Sequence, residues 1–284
     1  MPTESGTADL ARAVLASLPL SFAERSGTSA SAPGAVVIID GGPGWPEHVA
    51  AAAHQGAAGV VVVQPEPTDC SRLLATLVDT AVPLVFDSPW VANPAVSDAA
   101  GLFGPAAVPG SRLECRIILQ PGRDLAAALL HQLALVRQLV GPATEARLLT
   151  WSEQGYALQA TTGDCMLDLS VVTTRAVPES ALARLLTSDG SIELFIPSPD
   201  TARPAKLTTV GPSGSLLAPT VYESGHRASW RRLHALITSG DFSAGVDELQ
   251  ALQDDAAEVT SVLSQHVSPA VRTAAAPSPS HFQK

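Results

Sequence analysis

Three polar side chains recur at seven-residue spacing on one predicted helix, and they are the first candidates for chemistry. Asp124, His131 and Gln138 interrupt the apolar run DLAAALLHQLALVRQLVG, which spans residues 124–141 and ends at a glycine. Because two helical turns bring such residues onto the same face, the three form one polar strip. The strip is either exposed to solvent or lines a cavity. In the second case His131 is the candidate acid–base residue and Asp124 a substrate-binding residue.

A second group of candidates lies after the ends of two predicted strands. VVVV at 60–63 is typical of a buried parallel strand and leads directly into Gln64, while PLVF precedes Asp87 and Trp90. Ligands of α/β folds bind at the carboxyl ends of such strands, so these three side chains are candidates for substrate binding. Gln64 forms hydrogen bonds but cannot transfer a proton at neutral pH. Trp90 fits core packing equally well.

The first part of the chain has the pattern of an α/β unit. Short apolar segments alternate with helical ones and are joined by short turns, which indicates a parallel sheet. The strands are expected at 35–40, 60–63 and 83–87, with residues 111–120 as an extended crossover. We therefore expect a truncated Rossmann-like domain at 1–110.

The pattern changes after the helix that ends at Gly141. Two-residue periodicity between turn residues predicts an antiparallel meander with one face exposed to solvent. Two amphipathic helices come next, near 227–239 and 246–266. We expect an α+β open-sheet domain at 111–267. The remainder, 268–284, is rich in Pro, Ser and Ala and is expected to be a disordered tail.

Composition excludes several functional classes. The formal net charge of −10 argues against binding to nucleic acid, because neutralising phosphates requires clustered Lys and Arg. No apolar run approaches the roughly 20 residues of a membrane helix, and the first residues have no basic segment typical of a secretory signal. The three cysteines are far apart and form no CxxC motif, which supports neither a disulfide framework nor a metal site. The expected compartment is the cytoplasm.

The order of these segments resembles the Gfo/Idh/MocA oxidoreductases. The likeness rests on AVVIID…HVAAAAHQG, VVVVQPEP, LLHQLALVRQLVG and SWRRLHALITSGDFSAGVDELQALQDDAAEV. Within that family the chain resembles the thiazolinyl imine reductases, on GGPGWPEHVAAAAHQG, VVVVQPEP, SPWVANPAV and SGSLLAPTVY. The resemblance covers roughly residues 8–265. It implies a Rossmann domain joined to an open antiparallel sheet, and NADPH-dependent reduction of a carrier-protein-tethered thiazoline in nonribosomal siderophore assembly.

The departures from that family concern the cofactor and the proton. Residues 8–20 match the segment that comes after the first strand, glycine-rich turn and helix of the family, so the part that binds the dinucleotide is expected to be missing or reduced to a remnant. Gln64 stands where the wider family has a catalytic lysine and the imine reductases a histidine. Trp90 replaces a tyrosine of the imine reductases. His131 and Ala134 correspond to a His-x-x-Asp motif that is half kept.

The resemblance leads to three hypotheses. The first is a redox-dead relative of the imine reductases, for which no cofactor is expected and which binds a small or carrier-tethered intermediate of a nonribosomal peptide or polyketide pathway. It would then catalyse at most a non-redox step such as cyclisation, dehydration or epimerisation. The second is a non-catalytic partner subunit, and the third is a working NADPH-dependent reductase whose translation starts upstream. We also expect a homodimer or a heteromer formed through the C-terminal sheet.

Overall fold

The computed structural model describes residues 4–18, 33–199, 201 and 203–267. The predicted tail lies outside the described residues, as does most of the Ser/Gly/Ala/Pro-rich segment before Gly34. The first element is the helix α1 (Glu4–Ser17).

A small parallel sheet comes next, with helices between its strands. Its three strands pair in the order β1-β2-β3, and both pairings are parallel. All five residues of the middle strand are buried, which explains its run of valines. These elements are β1 (Val36–Asp40), α2 (Trp45–His54), β2 (Gly59–Val63), α3 (Ser71–Thr80) and β3 (Leu84–Asp87).

The second sheet has eight strands in the order β11-β10-β9-β8-β4-β7-β6-β5. It begins after the helix α4 (Pro94–Ala106), and helix α5 lies between its first two strands. The remaining elements are β4 (Arg112–Leu119), α5 (Leu125–Val140), β5 (Thr144–Ser152), β6 (Gly155–Thr162), β7 (Cys165–Thr173), β8 (Ser180–Leu186), β9 (Ser191–Pro197), β10 (Lys206–Gly211), β11 (Gly214–Leu217), α6 (Gly225–Ser239) and α7 (Ser243–Val267). A parallel-sheet part joined to an open, largely antiparallel sheet confirms the predicted fold class.

Two segments differ from the sequence prediction. Residues 111–120 are not a crossover, because β4 is a central strand that pairs in parallel with β7 and antiparallel with β8. Its side chains alternate between buried and exposed along most of its length. The helix α4 occupies a segment to which the sequence prediction assigned no element; it begins at Asn93, whose side chain accepts a hydrogen bond from the Ala95 N–H at 3.1 Å, with Pro94 in the first turn.

The helix α5 is fixed to the large sheet by a buried amide. Gln132 donates through Nε2 to the Cys115 carbonyl oxygen at 2.8 Å, and its Oε1 accepts from the Tyr156 hydroxyl at 2.9 Å. Because a buried amide is costly unless its polar atoms are bonded, these contacts fix the rotation of α5 about its axis. Rotation in turn decides where Asp124 and His131 lie.

The helix α6 returns from the large sheet to the small one. Leu233 packs with Val61, Val63 and Val85 on one face of the parallel sheet. A Cβ atom at Gly59 would lie 3.0 Å from the end of the Leu233 side chain, so α6 packs closely against the start of β2. Among the described helices none is both long and apolar enough to cross a membrane.

Candidate functional site

The carboxyl ends of β1, β2 and β3 form one edge at which three loops are bonded to one another. The Gly41 N–H donates to the Val63 carbonyl at 2.8 Å, and the Glu66 N–H donates to the Gly41 carbonyl at 2.8 Å. The Gln64 N–H donates to the Asp87 carbonyl at 3.1 Å. We call this surface, from Asp40 to Gly42 and from Gln64 to Glu66, the carboxyl edge. Its backbone is fixed, so it presents its side chains in a defined arrangement.

Close packing at the carboxyl edge explains two unusual backbone positions. A Cβ atom on Gly41 would lie 2.4 Å from Pro65 Cα, so only glycine fits beneath the loop after β2. Gln64 has a φ of 50°, in the left-handed region that a residue with a side chain rarely adopts. Such a conformation persists only where the surroundings hold it, and it is frequent in functional loops.

Glu66 is an acid at this edge that the sequence reasoning missed. Its carbonyl oxygen accepts from the Trp45 indole N–H at 3.1 Å, which together with its N–H bond to Gly41 fixes its backbone. Burial, and after it the neighbouring carboxylates of Asp124 and Asp40, raises the pKa of Glu66 above its ordinary value. A carboxyl of this kind holds its proton at a higher pH and is suited to general acid–base chemistry.

Asp124 lies near this edge because it begins α5. Its Oδ1 accepts from the Ala126 and Ala127 N–H groups at 2.7 and 3.0 Å, which makes it the N-cap of the helix. The substrate-binding role predicted for Asp124 therefore competes with a structural one. Its charge nevertheless acts on Glu66.

Asp87 is fully buried and holds α6 in place. Its Oδ2 accepts from His226 Nδ1 at 2.8 Å, and its Oδ1 accepts from the Ser229 hydroxyl at 3.2 Å. Trp90 is 2% exposed and belongs to the hydrophobic core. The structure thus places Asp87 and Trp90, two of the four predicted substrate-binding residues, away from solvent. Neither is open to a ligand without a local rearrangement.

His131 is 6% exposed, and its Nδ1 has no hydrogen-bond partner among the described residues. Burial lowers the pKa of this imidazole to about 4. It is therefore neutral at neutral pH and has no imidazolium proton to donate. The polar strip is divided among three environments, because Asp124 caps the helix, His131 is buried and Gln138 is exposed.

The carboxyl edge is a cluster of acids and amides rather than a metal centre. The parts of the chain that the structure describes hold no group of His, Cys, Asp and Glu arranged to bind a metal ion. The chemistry available there is hydrogen bonding by Gln64 and proton transfer by Glu66.

Comparison with known proteins identifies the fold. No family model matches the sequence. No curated protein matches it either. A 3-ketoreductase, KijD10 from Actinomadura kijaniata, in complex with NADP, superposes with a TM-score of 0.64 at 13% identity over 81% of this chain and 77% of that chain.

Two further solved structures have the same fold. The UDP-N-acetylglucosamine 3-dehydrogenase GnnA from Acidithiobacillus ferrooxidans gives a TM-score of 0.62 at 14% identity, over 80% of this chain and 78% of that chain. An oxidoreductase from Agrobacterium radiobacter, in complex with NAD+, L-tartaric acid and magnesium, gives a TM-score of 0.56 at 14% identity, over 78% of this chain and 75% of that chain. These likenesses show the fold alone, a parallel-sheet part joined to an open, largely antiparallel sheet.

These structures correct the cofactor prediction. The prediction that no cofactor is expected is wrong, because solved proteins of this fold hold NADP or NAD+. That prediction rested on the family's first strand, glycine-rich turn and helix, for which residues 8–20 offer no counterpart. The redox-dead hypothesis depended on that prediction and loses its support.

The carboxyl edge fits one end of a dinucleotide better than the other. Gln64 is half-buried there and offers an amide that can bond to the carboxamide of a nicotinamide ring. The start of α2 is poorly suited to phosphate, because Pro46 has no N–H and Glu47 is acidic. Two N–H groups of the preceding turn are also engaged, that of Gly41 by Val63 and that of Gly42 by the Asp40 carboxylate at 2.9 Å. Gln64 can therefore bond to a nicotinamide carboxamide, whereas the turn before α2 does not suit phosphate.

Proposed function

We propose that this protein is an NAD(P)-dependent oxidoreductase acting on a small molecule at the carboxyl edge, with Glu66 as its proton-transferring residue. The observation that carries the proposal is the position of Glu66. Glu66 is a carboxyl with a raised pKa on a rigid loop. It lies two residues after Gln64, and Gln64 stands at the position where the family resemblance places the catalytic lysine. The proposal also rests on the fold shared with proteins solved with NADP or NAD+.

The residues of the carboxyl edge have different roles in such a reaction. A bound nicotinamide supplies hydride to the electrophilic carbon. Glu66 gives a proton to the oxygen or nitrogen that gains negative charge, and burial, followed by the carboxylates of Asp124 and Asp40, raises its pKa in favour of the protonated form. Gln64 orients the bound molecule by hydrogen bonds. Buried His131 lies on α5 and stays neutral.

The substrate class is a ring with a polarised carbon–nitrogen or carbon–oxygen double bond. The resemblance to the thiazolinyl imine reductases favours a carrier-protein-tethered thiazoline of nonribosomal siderophore assembly. The names of two proteins with this fold, a 3-ketoreductase and a UDP-N-acetylglucosamine 3-dehydrogenase, favour a sugar nucleotide. Both need one hydride and one proton at neighbouring atoms. We propose the thiazoline first and the 3-keto sugar nucleotide as its competitor.

The test is a binding and turnover experiment on the full chain. Calorimetry with NADPH and NADH should give saturable binding, and NADPH consumption should appear with one of the two substrate classes. Glu66→Gln should lower turnover by about 100-fold or more without weakening cofactor binding. Glu153→Gln, which removes an exposed carboxyl from the turn after β5, is the matched control. No saturable binding up to millimolar cofactor would overturn the proposal, as would full activity in Glu66→Gln.

A second candidate function is a partner subunit that docks through the open sheet. On the face turned away from α5, several large apolar side chains are exposed, among them Met166, Val172, Leu186 and Phe195. They share that face with paired charges, Arg112 with Asp168 and Arg184 with Glu193, and protein interfaces combine apolar and paired polar side chains in this way. Sedimentation at high micromolar concentration should show a homodimer, or a heteromer when a catalytically active homologue is added. A monodisperse monomer in both experiments removes this candidate.

A further inference from the structure

A cavity of about 480 Å³ lies beside β3, between its free edge and the helices α4 to α7. It is lined by β3 itself rather than by the carboxyl edge, and neither Glu66 nor Gln64 contributes to it. Its volume falls within the range of small-molecule sites, about 300–1,000 Å³. A cavity of this size is large enough to bind a second ligand.

The inner wall of the cavity is the unpaired edge of a strand. Val60 and Gln64 donate to the carbonyl oxygens of Pro83 and Asp87, so these alternate residues of β3 face β2. By the two-residue period of a strand, Leu84 and Phe86 direct their N–H and C=O groups to the other side. A Cβ atom on Gly245 would lie 2.9 Å from the Leu84 oxygen, so α7 covers that position. Phe86 lines the cavity and offers its backbone donor and acceptor to an occupant.

The charged groups of the cavity are unevenly matched. Arg137 donates to both oxygens of Asp255, at 3.1 and 2.6 Å, and Arg232 forms an ion pair with Glu248 at 2.7 Å. Both guanidinium groups are therefore engaged by carboxylates. Asp247 lies exposed at the mouth as a third acid. Asp247 is the carboxylate of the lining that neither guanidinium engages, which favours a cation and disfavours an anion.

The polar groups surround an apolar floor. Phe86, Ala251 and Leu252 line the cavity on the sheet and on α7. A ligand with an apolar body and one polar, positively charged end matches this arrangement.

We propose that this cavity is a second ligand site, which binds a small organic amine with an apolar body. The ammonium group meets the Asp247 carboxylate and the Phe86 carbonyl, and the body packs on Ala251 and Leu252. The site is separate from the carboxyl edge. It is therefore independent of the function proposed for Glu66.

The experiment uses 2-phenylethylamine as the probe and phenylacetate, which has the same ring and the opposite charge, as its counterpart. Calorimetry and protein-observed NMR on the full chain should show saturable binding of the amine at or below millimolar concentration, with at least tenfold weaker binding of phenylacetate. Ala251→Phe fills the cavity and should abolish amine binding. Asp247→Asn should weaken it severalfold, and Asp254→Asn, an exposed acid of α7 outside the cavity lining, is the matched control.

Several outcomes would overturn the proposal. They are the absence of saturable amine binding, equal binding of phenylacetate, and undiminished amine binding in a folded Ala251→Phe variant. If that variant fails to fold by circular dichroism, Ser97→Trp takes its place, because Ser97 lies exposed at the cavity and a large ring there blocks entry. Unchanged amine binding in Ser97→Trp would then contradict the proposal, and loss of amine binding would support the proposal.

Discussion

Acidification should destabilise this protein through one buried histidine, by an amount that the structure sets. His131 is 6% exposed, and burial lowers its pKa from 6.5 to about 4. Each pKa unit corresponds to about 1.4 kcal/mol, so protonating this imidazole in the folded protein costs about 3 kcal/mol more than in the unfolded chain. Because the folded pKa is depressed, the stability is complete above pH 6.5 and is lost as the pH falls from 6.5 to about 4.

Urea unfolding of the wild type and of His131→Leu, at steps between pH 7 and pH 4, measures this contribution as a difference. As the pH falls, the free energy of unfolding of the leucine variant should rise relative to that of the wild type, by about 3 kcal/mol near pH 4. Taking the difference between the two proteins cancels the contribution of carboxyls such as Glu66 to the pH dependence of unfolding. The pKa of Glu66 is raised, so its effect on stability has the opposite sign. His48→Gln, an exposed histidine on α2, controls for loss of an imidazole. A difference that stays constant over this range refutes the reasoning, because the imidazole then has access to water or to an acid.

Three further predictions concern the fold. Asp87→Ala should destabilise by about 3 kcal/mol in chemical unfolding, because it leaves an imidazole and a hydroxyl of α6 buried without their acceptor; an unchanged midpoint contradicts that role. Gly41→Ala should destabilise by several degrees of melting temperature, since its Cβ meets Pro65, whereas Gly101→Ala has open space in α4 and should stabilise by about 1 kcal/mol. Truncation after Ser268 should leave the melting temperature unchanged, and a drop of several degrees would show that the tail docks.

The elements that were predicted correctly are those with strong local signals. The buried valines of β2 and the α5 helix between Asp124 and Gly141 are set by periodicity and capping, which act over a few residues. The start of α4 also carried such a signal, since Asn93 and Pro94 are typical of a helix start, but that dipeptide is typical of loops as well. The central position of β4 had no local signal, because its partner β7 begins about 50 residues later along the chain.

The candidate site shows a second limit of sequence reasoning. Helical periodicity places Asp124, His131 and Gln138 on one face of α5. Because that face packs against different elements along its length, the three side chains do not share one environment. The general rule for strand ends likewise leads to Asp87, where the chain uses the carboxylate to hold α6. His226, its partner, is 139 residues away, and only the packing of α6 against β3 brings the two together. Glu66 was identifiable from its place after β2, yet its raised pKa comes from burial in the fold and, after that, from Asp124 of another element. The chemistry of such a site is set by long-range neighbours, so residue type and spacing can locate its loops but cannot assign the role of each side chain.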